Sequence, residues 1–201
     1  MGSHIPVVPN HQTRRDTPLK TRANAAYFGT FGYELDLNKL TAEEIEEVKE
    51  QVKFMKAYRE VIQYGTFYRL ASPFDDEECG WMVVSDDKKT AIVAWFRTLY
   101  TPNKCFTRMK LHGLDPDAIY SCNGGQALTV SKTPDGKLIY EKVSGDKGED
   151  SAVNVIAGPS CYGDELMNLG LITSDTSAGE IVGEDMPCGD YDSRLYVLKA
   201  E

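Results

Sequence analysis

The side chains that could do chemistry are spread thinly along this chain. Carboxylates cluster at Asp75, Asp76, Glu77 and Glu78, at Asp86 and Asp87, and at Asp164 and Glu165. A carboxyl group serves as acid, base or nucleophile where burial or a neighbouring charge moves its pKa. The first cluster falls on a turn between two strand-like stretches. The second belongs to a Ser-Asp-Asp-Lys-Lys turn. Both settings predict solvated loops. Asn10 and His11 follow a short apolar stretch, residues 4–8, and are the candidates to line a binding pocket. Hydrogen bonding within their own loop is the competing role. His4 lies inside the apolar stretch and reads as a core histidine, and His112 carries no motif. The five cysteines, Cys79, Cys105, Cys122, Cys161 and Cys188, are odd in number and form no CxxC pair. That spacing suits neither a disulfide framework nor a zinc site and predicts free thiols in a reducing compartment. Cys122 and Cys161 flank a long loop-like segment and could lie near each other. Trp81 and Trp95 could stack on sugar rings, but their alternating strand context favours core packing. No glycine-rich phosphate loop, nucleophile elbow or metal-ligand cluster is present, so no cofactor and no metal are expected.

These residues must be positioned by two kinds of element. Residues 4–8, ending before Pro9, can form a buried parallel strand. Thr17 can cap a helix with Pro18 at its first position, running to about Tyr27. Gly29 and Gly32 bracket a second strand near residues 30–35. Thr41 with Glu44 forms a capping box for a long helix. Acidic residues crowd the start of that helix and Lys49, Lys53, Lys56 and Arg59 follow, matching the helix dipole. Ile45, Val48, Val52, Met55, Tyr58 and Ile62 make its apolar stripe, and Gly65 ends it. Strand, helix, strand, helix is the pattern of a parallel sheet. After residue 65 only strand and turn signals follow. Strands are predicted at residues 66–71, 81–84, 91–99, 106–111, 118–121, 127–131, 138–143, 152–156 and 194–199. Thr133-Pro134-Asp135-Gly136 marks a hairpin turn. The reading is an antiparallel β-sandwich, α+β overall.

The formal net charge of −9 argues against nucleic acid and anionic membrane surfaces as partners. No apolar run is long enough to span a membrane, and the N-terminus lacks a signal-peptide pattern. The expected location is cytoplasmic.

The stretches FGTFGYELDLNKL, IQYGTFYRLASPF and WMVVSDDKK resemble the C-terminal part of bacterial α-galactosidases of glycoside hydrolase family 36. MGSHIPVVPNHQ and PLKTR upstream, and GLDPDAIY, YGDELMNLGL and SRLYVLKAE downstream, fit the same family in the same order. Residues 121–160 and 173–189 fit poorly and look like longer loops or an extra hairpin. The resemblance implies that residues 1–63 are the seventh and eighth βα units of a (β/α)8 barrel. Residues 64–201 are then a C-terminal β-sandwich of Greek-key type that braces it. It also implies a chain that starts inside the barrel. The family's two catalytic aspartates lie on earlier strands and have no counterpart here. Asp164 and Glu165, within YGDELMNLGL, are then structural. Asn10 and His11 would sit at the C-terminal end of a barrel strand, the active-site face. The partners implied are an α-galactoside in the whole enzyme, the rest of the barrel, and possible copies of the chain itself. The alternative is a stand-alone β-sandwich that binds carbohydrate or protein, which would have no use for two barrel units.

Overall fold

The computed structural model describes residues 2–101, 107–124, 127–132, 138–143, 160–173 and 190–201. Strand β1 (Ile5–Pro6) pairs in parallel with β2 (Tyr33–Glu34), with Ile5 opposite Tyr33. Parallel neighbours need a long crossover, and helix α1 (Leu19–Ala26) lies within it. Pro18, not Thr17, takes the N-cap place, so α1 starts one residue later than the sequence predicts. The Thr17 carbonyl instead accepts a hydrogen bond from Arg22 Nε at 2.9 Å. The strands are also shorter than their apolar stretches suggest. His4 is a correction: its side chain is half exposed and pairs with Glu34 Oε2 at 2.5 Å. Side chains alternate along a strand, so burying Ile5 turns His4 outward.

Helix α2 (Ala42–Tyr64) begins as predicted. Glu44 N–H donates to Thr41 Oγ1 at 3.2 Å, and Thr41 N–H donates to Glu44 Oε2 at 2.9 Å. Its buried line is rotated slightly from the apolar stripe. Gln51, Met55 and Ile62 are buried, with Val48, Phe54, Tyr58 and Val61 packed beside them. Ile45 and Val52 are left at the margin, half-buried. Gln51 is tolerated in the buried line because Tyr33 OH donates to its Oε1 at 2.8 Å and its Nε2 donates to Glu47 at 2.9 Å. Gly65 ends the helix, but not by a left-handed turn: its φ is −70°. A Cβ there would lie 2.5 Å from the Val84 carbonyl oxygen and 2.6 Å from that of Val61, so glycine answers to close packing.

The strands that follow are β3 (Thr66–Ala71), β4 (Glu78–Val84), β5 (Thr90–Arg97), β6 (Arg108–Met109), β7 (Ile119–Gly124), β8 (Ala127–Lys132), β9 (Leu138–Val143), β10 (Ser160–Tyr162), β11 (Leu171–Ile172) and β12 (Ser193–Ala200). Six of them form one antiparallel sheet in the order β10-β7-β12-β5-β4-β3. The β4–β5 hairpin sits where predicted, closed by the turn at residues 85–89. Strands β8 and β9 pair with each other, as do β6 and β11. The predicted strand at 152–156 and the predicted turn at 133–136 lie outside the described residues. Helix α3 (Gly163–Asn168) corrects the expectation of strands alone after residue 65. It is too short to show a helical period, and its start is marked by Glu165, which accepts a hydrogen bond from Tyr162 N–H at 3.1 Å.

Both faces of the six-stranded sheet are covered. One presents Met82, Val84, Val93, Trp95, Tyr196 and Leu198 to Met109, Leu111, Leu166 and Leu171. The other sets Ile92 into a cluster with Ile5, Leu19, Ala23, Tyr27, Met55 and Ile62. Strand β5 is central and buried on both sides from Ala91 to Arg97, so residues 91–96 read as an unbroken apolar run rather than an alternation. Each large side chain buried there contributes about 1.5–3 kcal/mol. The α/β portion thus shares one hydrophobic cluster with the sheet through Ile92, distinct from the cluster on the opposite face.

Candidate functional site

The loop from β1 to α1 carries Asn10 and His11. It closes on itself: Asn10 N–H donates to the Arg15 carbonyl and Arg14 N–H to the Asn10 carbonyl, each at 2.8 Å. Asn10 Oδ1 accepts from the N–H groups of Gln12 and Thr13 at 3.0 Å and from Thr13 Oγ1 at 3.2 Å. Asparagine is suited to this because its short side chain reaches its own backbone two residues on. The oxygen is therefore occupied within the turn, while the His11 ring is exposed. Arg22 holds the base of the loop, donating to the carbonyls of Pro6 and Thr17. Partial burial lowers the Arg22 pKa, against the pull of Asp16, Glu44 and Glu47.

The loop also touches the β portion. The Arg15 guanidinium stands 4.4 Å from the ring centre of Tyr191, just before β12. Near the α1 side of this contact, Asn24 Nδ2 donates to Ser193 Oγ at 3.0 Å, and Ser193 Oγ donates to Thr21 Oγ1 at 2.9 Å. A cavity of about 450 Å3 opens between β1, α1 and the sheet, lined by Ser3, His4, Pro6, Thr21, Arg22 and Phe96 among others. Neither Asn10 nor His11 lines it.

The carboxylate clusters divide. Asp86 and Asp87 are exposed on the hairpin turn. Asp87 accepts from Ser85 Oγ at 2.6 Å and from Lys89 N–H at 3.0 Å, and the first of these bonds is the main cause of its lowered pKa. Asp75 and Asp76 are exposed as expected, but Glu78 is a correction: it starts β4 and is 4% exposed. Its carboxylate accepts from Trp95 Nε1 at 2.9 Å, Thr107 Oγ1 at 3.0 Å and Arg97 Nη2 at 3.4 Å. Arg97 in turn lies 4.8 Å from the Trp95 ring centre. This is a buried polar knot inside the sheet, and its geometry is structural. Run-of-charge composition hides it, since the residues that receive Glu78 stand 17 to 29 positions away. Glu47, on α2, is half-buried, and desolvation raises its pKa.

Trp95 is fully buried, which leaves no face for a sugar. Trp81 is stacked on Phe96 at 4.6 Å and edge-on to Phe28 at 5.9 Å, where the sheet meets the α/β portion. Cys122 and Cys161 lie on the adjacent strands β7 and β10, and Cys161 is opposite Tyr120 in register. Burial pushes the Cys122 thiol up to about 12, with a further push from Cys161. Among the described residues, no group of three or more His, Cys, Asp or Glu could hold a metal ion, and no helix is long and apolar enough to cross a membrane.

Two family models tile the chain in order. Residues 1–65 match the Melibiase model, and residues 78–198 match the model for the glycosyl hydrolase family 36 C-terminal domain. The chain is 43% identical over its whole length to 21% of alpha-galactosidase Mel36A of Lactobacillus acidophilus. It is 48% identical over 62% of its length to 17% of alpha-galactosidase AgaA of Geobacillus stearothermophilus. The crystal structure of alpha-galactosidase AgaB from the same organism superposes on the whole chain with a TM-score of 0.74 and 36% identity, over 22% of that protein. A structure of AgaA in complex with raffinose gives a TM-score of 0.74 at 35% identity, again over all of this chain and 22% of AgaA. The chain thus spans about a fifth of the length of the relatives it matches.

Proposed function

The chain belongs to glycosyl hydrolase family 36, and we propose that it is the C-terminal portion of an α-galactosidase that hydrolyses terminal α-galactosides with retention of configuration. The observation that carries this is the order of the two family matches along one chain. In this reading residues 1–63 are the last two βα units of an eight-stranded barrel. The parallel pairing of β1 and β2 across α1 supports it. Residues 64–201 are a Greek-key β-sandwich that braces the barrel, and the core shared through Ile92 supports that role. The rest of the barrel is the immediate partner, copies of the whole enzyme are further ones, and the setting is cytoplasmic.

Retaining hydrolysis uses two carboxyl groups, one as nucleophile and one as acid and then base. Neither role falls to a carboxylate of this chain. Its part in the reaction is to hold the loop that bears Asn10 and His11 at the rim of the sugar pocket, where Asn10 Nδ2 and the imidazole can meet sugar hydroxyls. A chimera tests the proposal: the upstream four-fifths of Geobacillus AgaB joined to this chain. It should hydrolyse a nitrophenyl α-galactoside and release α-galactose first, read by NMR. A folded chimera without turnover overturns the reading.

A further inference from the structure

We propose that Tyr191 is a positioning residue for the Asn10–His11 loop, acting through Arg15 as a latch from the β portion. This rests on the reading that the loop borders the sugar pocket. Tyr191 itself and Arg14, the chain neighbour of Arg15, hold a backbone that side chains rarely adopt. Arg14 has φ of 59° and Tyr191 has φ of 60°, both left-handed and neither glycine. Such conformations persist only where the surroundings enforce them, and they gather at functional sites.

On the β side the enforcement is visible. Tyr191 N–H donates to the Thr98 carbonyl at 3.1 Å, and the Tyr191 carbonyl accepts from Thr21 Oγ1 at 3.4 Å. Next to it, Asp190 accepts from Tyr100 N–H at 2.7 Å. The Tyr191 backbone is thereby held between strand β5's exit and helix α1, which sets where its ring starts. On the loop side, the Arg15 carbonyl receives Asn10 N–H at 2.8 Å. The guanidinium that rests 4.4 Å from the Tyr191 ring centre therefore belongs to the residue that closes the Asn10 turn. Moving Arg15 moves the backbone partner of Asn10, and with it the amide and imidazole beyond. The β portion thus does more than add bulk to the fold: one aromatic ring sets the place of the loop.

Hydrogen exchange on the full chain, read at the Asn10 and Arg14 amides, tests the latch. A cation over an aromatic ring at an exposed site holds about 0.5–1 kcal/mol, so losing it should speed exchange there about two- to fivefold. Arg15→Ala and Tyr191→Ala should both show this, with amides of the β4–β5 hairpin unchanged. Tyr191→Phe, which keeps the ring, should restore parental rates. Arg15 is exposed, so Arg15→Ala decides the matter even if Tyr191→Ala loosens the whole chain. Unchanged loop exchange in Arg15→Ala, or a Tyr191→Phe variant as loose as Tyr191→Ala, overturns the latch. Exchange needs no turnover, so this outcome is independent of the chimera's activity.

Discussion

Replacing Glu78 by alanine should destabilise the β portion severely. The carboxylate is 4% exposed, and its partner Arg97 is 6% exposed. Alanine leaves the guanidinium buried without that carboxylate and removes the acceptor of Trp95 Nε1 at 2.9 Å and of Thr107 Oγ1 at 3.0 Å. Breaking one side of a buried ion pair costs about 3–5 kcal/mol. Orphaning a buried donor such as the indole N–H costs about 1–3 kcal/mol, and part of this is already contained in the first figure. Domains of this kind have about 5–15 kcal/mol to lose. Urea unfolding followed by tryptophan fluorescence measures the change directly. With a slope of about 1–3 kcal/mol per molar, the midpoint should fall by about 1–5 M. Glu78→Gln keeps an oxygen for Trp95 but drops the charge, so its midpoint should lie between. A Glu78→Ala midpoint corresponding to a loss under about 1 kcal/mol would refute the structural role, and Glu78 would again be open to a chemical one.

Thr41→Ala should lower stability by about 0.5–2 kcal/mol, because it removes the hydroxyl half of the capping box; an unchanged denaturation midpoint would show that the cap contributes nothing. Cys122 should resist alkylation in the native chain at pH 8. Its pKa of about 12 leaves roughly one thiolate in ten thousand at that pH, besides the steric block of burial. Mass spectrometry after iodoacetamide treatment, native against urea-unfolded, checks this, and fast native labelling would contradict it. The purified chain alone should release no nitrophenol from an α-galactoside above buffer, because the proposed reading assigns neither catalytic carboxyl role to a residue of this chain; turnover abolished by mutating one of this chain's own residues would sink that expectation.

Short-range signals were legible in the sequence wherever the physics is itself short-range. The Thr41–Glu44 box spans three residues and the 85–89 turn five. Each is complete within a few positions, so pattern reading finds it. The helical stripe of α2 was legible to within a small rotation. Its departure, Gln51 in the buried line, depends on Tyr33 being brought up from 18 positions away. Helix α3 escaped because six residues carry less than two turns of periodicity.

The candidate site divides in the same way. Asn10 and His11 could be singled out from their place after an apolar stretch, and the Asn10 turn is a local hydrogen-bond pattern. That His4 faces outward follows from the pairing of β1 with β2, 28 residues on in register from Ile5 to Tyr33. The burial of Glu78 follows from the β4–β5 pairing, which places its start against Arg97. The contact of Arg15 with Tyr191 joins the two ends of the chain, alongside the Asn24–Ser193 bond between residues 169 positions apart. Periodicity carries no information about which distant side chain will arrive opposite a given one. Only the closing of the sheet over α1 and α2, driven by burial of Ile92 and its neighbours, brings those partners together.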